Sequence, residues 1–224
     1  MKTIEVKNEY VLSILALIEN HIINIDYDSI KVQCQEIVKG TADVPALPKK
    51  IVYEKDYIDL KNEKLSESYL KYIINLGSSF KGLPLVQPRY FLSNTDQKVF
   101  KQYGSDLVAC MFSESQCLHM LYPPNGFCSW HNNADASGYG IMFSWSETGE
   151  GDFRYWDNNK KEVISIPDKK GWNVKVFYFG NYDEPEKLTY HSSSNDCLRY
   201  SMAFLFKNEK EVWEDTIEML TSHE

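Results

Sequence analysis

Residues 172–179 read WNVKVFYF, one of eight short apolar and aromatic runs that follow one another in the second half of the chain. The others are LVACMF at 107–112, QCLHMLY at 116–122, YGIMFSW at 139–145, DFRYW at 152–156, EVISI at 162–166, KLTY at 187–190 and LRYSMAFLF at 198–206. The runs are rich in β-forming residues and are separated by clusters of Gly, Pro, Asn, Asp or Ser. Such a succession of short strands predicts a sandwich, a barrel or a jelly roll.

Helical patterns flank this β-rich part. Apolar residues recur at helical spacing over 9–24, and a second helix is predicted at 66–76, between an N-capping Ser66 and Gly77. The stretch ADVPALPKK at 42–50 has two prolines and predicts a loop or linker. The sequence therefore predicts a mainly β protein with flanking helices (α+β). It divides into a mostly helical region at 1–105, a β core at 106–207 and a C-terminal helix at 208–224.

Composition restricts the classes of function. The chain has 224 residues, of which 43% are hydrophobic, and a formal net charge of −8, so a uniformly basic nucleic-acid surface is not expected, although a local basic patch stays open. The five cysteines form no Cys-x-x-Cys pair, which favours reduced thiols over a disulfide framework. Neither a signal-peptide pattern nor an apolar run long enough to span a membrane is present. We expect a soluble, cytoplasmic protein without a membrane partner.

Two of the five histidines are candidates for a metal site. His131 and His191 fall at the edges of β-runs, where functional side chains are commonly presented, whereas His119 lies within a run. Oxygen-activating Fe(II) sites use two histidines and one carboxylate, which leaves coordination positions open. The local pattern is His-x-Asp or His-x-Glu, because alternate residues of an extended chain point the same way.

Arg199 and Ser201 stand in the apolar run at 198–206 and share one face of the predicted strand. A buried arginine is costly without a partner. It therefore indicates either a buried acidic residue or an anionic ligand, and a guanidinium beside a hydroxyl is suited to holding the far carboxylate of a dicarboxylate.

From about residue 116 to 206 the chain resembles the 2-oxoglutarate/Fe(II) oxygenases, especially their prolyl-4-hydroxylase-like branch. The branch has a Tyr nine residues before its first iron histidine, a Gly between them, a Gly-Gly-Glu-like turn, a Pro-x-Lys-x-Gly turn before an apolar strand, and a distal His followed by Arg or Lys and an aromatic residue. The matching residues, in chain order, are Tyr122, Gly126, His131, the strand at 139–145, the turn GEGDF at 149–153, the turn PDKKG at 167–171, the strand at 172–179, His191, Arg199 and Tyr200.

The resemblance implies a double-stranded β-helix, or jelly roll, with Fe(II) and 2-oxoglutarate as cofactors. His131 and His191 would bind the metal, and Arg199, Ser201 and Tyr122 would hold the distal carboxylate of 2-oxoglutarate. The activity implied is that of a dioxygenase that consumes O₂ and 2-oxoglutarate and hydroxylates a substrate.

The chain departs from the family pattern at the third ligand, because Asn133 stands where the family has Asp. Three readings follow. Asp135 supplies the carboxylate, which is the prediction we favour because two imidazoles leave the charge of the metal uncompensated. Alternatively, Asn133 coordinates directly or through water. In the third reading, the site has lost iron or leaves a position for another anion.

The sequence does not identify the substrate, macromolecular or small. The resemblance leans towards a peptide or protein side chain. Five aromatic residues near the predicted site strands could stack on a base or a proline ring, although most such residues pack in cores: Trp130, Tyr139, Trp145, Tyr155 and Trp156. The alternatives are a nucleobase-oxidising dioxygenase and a non-catalytic jelly-roll protein with a decayed metal site.

Overall fold

The computed structural model describes residues 1–26 and 94–223, except Pro123 and Asn125. Within these residues the chain is mainly antiparallel β-structure with three α-helices. The helices are α1 (Glu9–Ile23), α2 (Asn94–Met111) and α3 (Lys210–Thr221). The strands are β1 (Lys2–Ile4), β2 (Ser115–Tyr122), β3 (Phe127–His131), β4 (Gly138–Ser146), β5 (Gly151–Asp157), β6 (Glu162–Pro167), β7 (Gly171–Phe179), β8 (His191–Asn195) and β9 (Arg199–Lys207), and 3-10 turns lie at Ala134–Ala136 and Pro185–Lys187.

The strands form two sheets. The larger has the order β1-β7-β4-β9-β2, and the smaller has the order β3-β8-β5-β6. All pairs are antiparallel, and strands distant in sequence become neighbours, as β3 and β8 do. Because β3 and β8 are neighbours in the smaller sheet, the two segments that carry His131 and His191 lie side by side.

The central strand β4 has two different faces because side chains alternate along a strand. Ile141, Phe143 and Trp145 belong to the main apolar cluster, which also contains residues of all three helices. Met142, on the other face, packs with Phe177, Phe179 and Ala203 of the larger sheet and with Phe153 of the smaller one. One face of the larger sheet is therefore covered by helices, and the other meets the smaller sheet.

Helix α1 confirms the periodic pattern at the N-terminus. The Asn8 side chain accepts a hydrogen bond from the backbone N–H of Val11 at 3.1 Å and caps the helix. The buried residues recur at helical spacing: Val11, Ile14, Leu15, Ile18 and Ile22. The charged tail also forms the helix expected there, as α3.

Three predictions of local structure were wrong. The run at 107–112, predicted as a strand, belongs largely to α2, where Leu107 and Met111 are both fully buried; a short apolar run does not distinguish a strand from one face of a helix. The run at 187–190 is not a strand, since β8 begins only at His191. Strand β3 was missed because the prolines and glycine before it indicate a loop.

The predicted helix at 66–76 and the linker at 42–50 lie outside the described residues. Four cysteines within the described part, Cys110, Cys117, Cys128 and Cys197, are free of disulfides. None of the helices described is long and apolar enough to cross a lipid bilayer.

Phe143 provides a test of the main core. Its ring is fully buried and meets Phe204 edge-on at a centroid distance of 5.8 Å. We expect Phe143→Ala to lower the free energy of unfolding by about 3–5 kcal/mol, because it leaves a cavity that the surrounding strands cannot fill. Urea denaturation measures this loss. Phe112, which is 81% exposed, is the matched control, and an equal loss in Phe112→Ala would contradict the assignment of the core.

Candidate functional site: two histidines and a buried ion cluster

The candidate metal centre lies where the end of β3 meets the start of β8. His131 is the last residue of β3 and His191 the first of β8, and the two are direct partners in the antiparallel pairing. Their ring centroids are 4.2 Å apart. The strand pairing thus brings together the two histidines that the sequence singled out.

His191 is held rigidly. Its ring is buried and stacks on Phe179 at 4.6 Å and on Phe153 at 5.5 Å. Its Nδ1 lies 3.0 Å from the carbonyl oxygen of Thr189. A proton on Nδ1 donates to that carbonyl and leaves the Nε2 lone pair for a metal or a donor.

Burial, reinforced by the neighbouring His131, lowers the pKa of His191 well below its usual value. The imidazole is therefore neutral near pH 7, as a metal ligand must be. His131 is half-buried, and the Cys128 Sγ lies 3.6 Å from its Nδ1. One histidine of the pair thus lies deep in the fold and the other nearer the surface.

The structure brings Asn133 to this pair. Its side-chain nitrogen lies 3.4 Å from Nε2 of His191. Asp135, by contrast, lies in the 3-10 turn Ala134–Ala136 and is exposed. Across the described ranges, no three His, Cys, Asp or Glu side chains are grouped so that they could hold a metal. The polar side chains adjacent at the site are therefore two imidazoles, a neutral amide and the Cys128 thiol beside His131.

Arg199 lies in a buried ion cluster between the sheets. Its guanidinium Nε donates to Asp168 at 2.8 Å and its Nη2 to the Ser144 hydroxyl at 3.1 Å. The same Asp168 carboxylate accepts from Lys175 Nζ at 2.9 Å. The three charged side chains have at most 1% of their surface exposed. Of the two partners that the sequence allowed for Arg199, the structure supplies the buried acidic residue.

Sequence reasoning missed Asp168 and Lys175. Asp168 belongs to the turn at 167–171, where alternation gives no information on direction. Lys175 stands inside WNVKVFYF, and a lysine in a strand buried on both faces requires an acidic partner. That lysine was the signal from which a buried ion pair could have been predicted.

Burial raises the pKa of the Asp168 carboxyl, but the charges of Arg199 and Lys175 outweigh it, so the net shift is downward. Asp168 is consequently ionised near pH 7. Burial lowers the pKa of Lys175, and the Asp168 charge partly opposes this. The cluster therefore depends on close contact between its members.

Tyr122 and Ser201, the other residues predicted to hold the anion, lie near Arg199. Tyr122 is buried, pairs with Arg199 across β2 and β9, and has its ring centroid 5.3 Å from the guanidinium carbon. Burial, with a smaller effect of Cys128, raises the pKa of the Tyr122 hydroxyl. Ser201 donates a hydrogen bond to Ser144 at 3.2 Å. Ser144 thus places a hydroxyl against the guanidinium and Ser201 bonds to that hydroxyl, whereas the Tyr122 hydroxyl hydrogen-bonds with Ser193.

Alternating residues of β7 connect the two parts of the site. Lys175 belongs to the ion cluster, Phe177 to the apolar cluster between the sheets, and Phe179 stacks on His191. Because every second residue of a strand faces the same way, the histidine pair and the ion cluster lie in the same interior with apolar side chains between them.

Comparisons with known proteins give weak likenesses. No family model and no curated protein sequence matches the chain. Among solved structures, a Pseudomonas putida prolyl-4-hydroxylase matches with 15% identity over 69% of this chain and 97% of that one, with a TM-score of 0.33. The viral collagen prolyl hydroxylase from Paramecium Bursaria Chlorella virus-1 matches with 14% identity over 63% and 89%, with a TM-score of 0.30.

Drosophila melanogaster CENP-C, solved bound to CAL1, matches with 15% identity over 39% of this chain and 61% of that chain, with a TM-score of 0.29. The match thus spans less than two thirds of that protein. Similarities of this size assign the chain to no family.

The ion cluster generates a prediction about pH. Asp168→Asn should lower the free energy of unfolding by about 3–5 kcal/mol near pH 6, since it leaves buried cations without their anion. Because the folded pKa of Asp168 is depressed, this contribution is full above the unfolded pKa of about 3.9 and disappears as the pH falls through the folded pKa.

Urea denaturation of the wild type and the variant between pH 6 and pH 3 measures this difference. Asp183→Asn, at an exposed carboxylate, is the control and should change stability by less than about 0.5 kcal/mol. A difference that does not shrink on acidification would contradict the assignment.

The position of Asn133 generates a prediction about metal affinity. Asn133→Asp should tighten Mn(II) or Fe(II) binding by at least about tenfold, because a charge within about 4 Å of a dication contributes several kcal/mol. Asp135→Ala should leave the affinity unchanged. Anaerobic titration calorimetry measures both. The reverse order, with Asp135→Ala abolishing binding, would make Asp135 the ligand.

Proposed function

We propose that the protein is a non-haem Fe(II)- and 2-oxoglutarate-dependent oxygenase on a double-stranded β-helix, with His131, His191 and Asn133 at the metal. The observation that carries the proposal is the pairing of two distant histidines at adjacent strand ends, with Nε2 of the buried one directed at a third polar side chain. Its neutral imidazole and anchored tautomer are those of a metal ligand.

The strand order supports the fold in this proposal. If β2 to β9 are counted as eight successive strands, the larger sheet holds the first, eighth, third and sixth, and the smaller holds the second, seventh, fourth and fifth. Two sheets that share consecutive strands in this way make a jelly roll. In it, β3 and β8 lie in one sheet, and β9 with Arg199 lies in the facing one.

The number of donor groups suits a divalent transition metal, but none of these groups carries a negative charge. Two imidazole nitrogens suit Fe(II), and Asn133 offers an oxygen once its amide is rotated by half a turn. The missing carboxylate makes the centre weaker and more dependent on an incoming anion than a site with two histidines and one carboxylate. Cys128, beside His131, would orient that ring.

The ion cluster fits an acidic cosubstrate. Asp168 takes the Nε side of the Arg199 guanidinium, and Nη1 has no hydrogen-bond partner among the residues described. That end would hold the distal carboxylate of 2-oxoglutarate, and Ser201 and Tyr122, which lie in the same cluster, would assist it. When bound, Fe(II) and 2-oxoglutarate together would activate O₂ for oxidation of a substrate.

The residues of the chain would bind, orient and exclude water. Phe153 and Phe179 stack on His191 and fix its plane, and Thr189 holds the proton of Nδ1. The apolar residues between the sheets keep water from the region between the metal and the arginine. Oxidation of the substrate rather than of solvent or protein depends on this exclusion.

The substrate is proposed to be a peptide or protein side chain. Of the five aromatic residues considered for stacking, Tyr139 and Trp145 pack on the helical face of the larger sheet, and Trp130 and Trp156 are buried. Tyr155 is half-buried and pairs directly with His191 across β5 and β8. This pairing supports Tyr155 as the aromatic side chain that would contact a substrate ring at the metal.

A non-catalytic jelly-roll protein is the second candidate, and two observations favour it. Asn133 replaces a carboxylate at the metal, and Asp168 already neutralises part of the Arg199 charge. In that case the histidine pair would be a remnant, and the ion cluster would serve only stability.

Anaerobic addition of Fe(II) and 2-oxoglutarate to the purified protein separates the two candidates. We expect a visible metal-to-ligand charge-transfer band and, with O₂, conversion of 2-oxoglutarate to succinate and CO₂. His131→Ala and His191→Ala should abolish the band, whereas His223→Ala, at an exposed position of the tail, should retain it.

Arg199→Ala should weaken 2-oxoglutarate binding by about 2–5 kcal/mol, the usual loss when one member of a buried charge pair is removed. If the wild type gives neither band nor turnover, the oxygenase proposal fails and the non-catalytic candidate remains.

A further inference from the structure

The charges of the ion cluster do not balance. Lys175 and Arg199 are cations, Asp168 is the anion that bridges them, and all three side chains are withdrawn from water. The cluster therefore carries a net charge of +1 in a region of low dielectric, where an uncompensated charge is costly. One further negative group at the cluster would remove that cost.

The guanidinium has one end available for such a group. Nε is committed to Asp168 and Nη2 to Ser144, whereas Nη1 has no hydrogen-bond partner in the described part of the chain. Hydroxyl groups line the neighbourhood, since Ser144 and Ser201 are fully buried there and hydrogen-bond to each other. The surplus charge and the available Nη1 donor both match one carboxylate.

Asp168 is itself rigidly placed. Its backbone N–H donates to the carbonyl oxygen of Gly151 at 2.9 Å. In the turn that follows, the Asn173 side chain accepts from the N–H of Lys169 at 2.7 Å and donates to the carbonyl oxygens of Lys169 and Gly171. Gly171 has φ of +83°, a conformation that favours glycine. A carboxylate anchored in this way fixes the plane of the guanidinium that it binds.

We propose that Asp168 is the positioning residue of a carboxylate-binding site, in which it holds the Nε side of Arg199 so that the Nη1 end receives one carboxylate group of a ligand. The inference deepens the proposed function, because that carboxylate would be the distal one of 2-oxoglutarate. Lys175 belongs to the site by keeping Asp168 in place and by contributing the surplus positive charge. The opposing idea is that Asp168 occupies the site in place of a ligand.

The two ideas predict opposite changes in anion affinity for the substitution Asp168→Asn. Asp168→Asn raises the net charge of the cluster from +1 to +2, which by Coulomb attraction alone tightens anion binding. If Asp168 is an occupant, the substitution also removes the carboxylate that competes with the ligand for the guanidinium, so affinity rises. If Asp168 positions Arg199, affinity falls in spite of the added charge. A weaker anion affinity in Asp168→Asn is thus expected only if Asp168 positions Arg199.

The experiment measures binding of succinate and of 2-oxoglutarate to the full-length, metal-free protein by ligand-observed NMR, with succinamide as the uncharged probe. We expect both acids to bind the wild type and succinamide not to bind. In Asp168→Asn, the dissociation constant per folded molecule should rise by at least about tenfold, the loss typical of a charged hydrogen bond.

Asp152→Asn is the matched control. Asp152 is a nearby carboxylate that adds to the field at Arg199, but it accepts its hydrogen bonds from Arg154, Ser165 and Ser194. The substitution makes the same change of charge without touching the guanidinium. Binding should be unchanged or slightly tighter.

If Asp168→Asn does not fold, Asp168→Glu retains the charge, lengthens the side chain and should also weaken binding. Equal or tighter binding in the folded Asp168 variant overturns the positioning role, and absence of carboxylate binding to the wild type overturns the site. Both readouts are independent of iron. If the wild type binds carboxylates but gives no charge-transfer band, the oxygenase proposal fails and the carboxylate-binding site stands.

Discussion

The contact between Asp168 and its two cations is the constraint on which the interior between the sheets depends. It connects the turn after β6 to β7 through Lys175 and to β9 through Arg199. One carboxylate thus joins two strands of the larger sheet, β7 and β9, which are separated by β4. The β4 residues beside this bridge are Ser144 and Ser146. The small size of Ser144 and Ser146 leaves the room that the charged side chains need.

At the other end of this interior, packing and not charge determines geometry. His191 lies against two phenylalanine rings from different sheets, so its plane follows from the way the sheets approach each other. His131 then takes its place by strand pairing. The polar half of the interior holds the ion cluster, and the apolar half keeps His191 neutral and close to His131.

The sequence predicted the parts of the fold in which periodicity and burial agree. Helix α1 and strands β4, β7 and β9 have clear apolar patterns, and His131 and His191 were selected because each stands at the edge of a β-run. Prediction failed where a short apolar run was ambiguous or where turn-forming residues precede a strand. Leu107 and Met111 fit a strand or a helix equally, and β3 follows residues that indicate a loop.

The partners of charged groups were also beyond prediction, for a physical reason. Arg199 required an anion, but its identity depends on a contact across 31 positions of sequence, which no local pattern encodes. The same holds for the third polar group at the histidines. The need for a negative charge at the metal favoured the carboxylate of Asp135, whereas the turn at Ala134–Ala136 leaves that residue exposed and Asn133 beside His191.

The bridging carboxylate also has an evolutionary consequence. Loss of Asp168 leaves two buried cations without their anion, whereas loss of either cation leaves the other paired with Asp168. Replacement of all three by apolar residues of similar volume is often neutral or stabilising. Among descendants of this chain, one cation can be lost alone, but Asp168 and the remaining cation should be lost together, and their joint loss would mark the lineages in which the interior has become only a core.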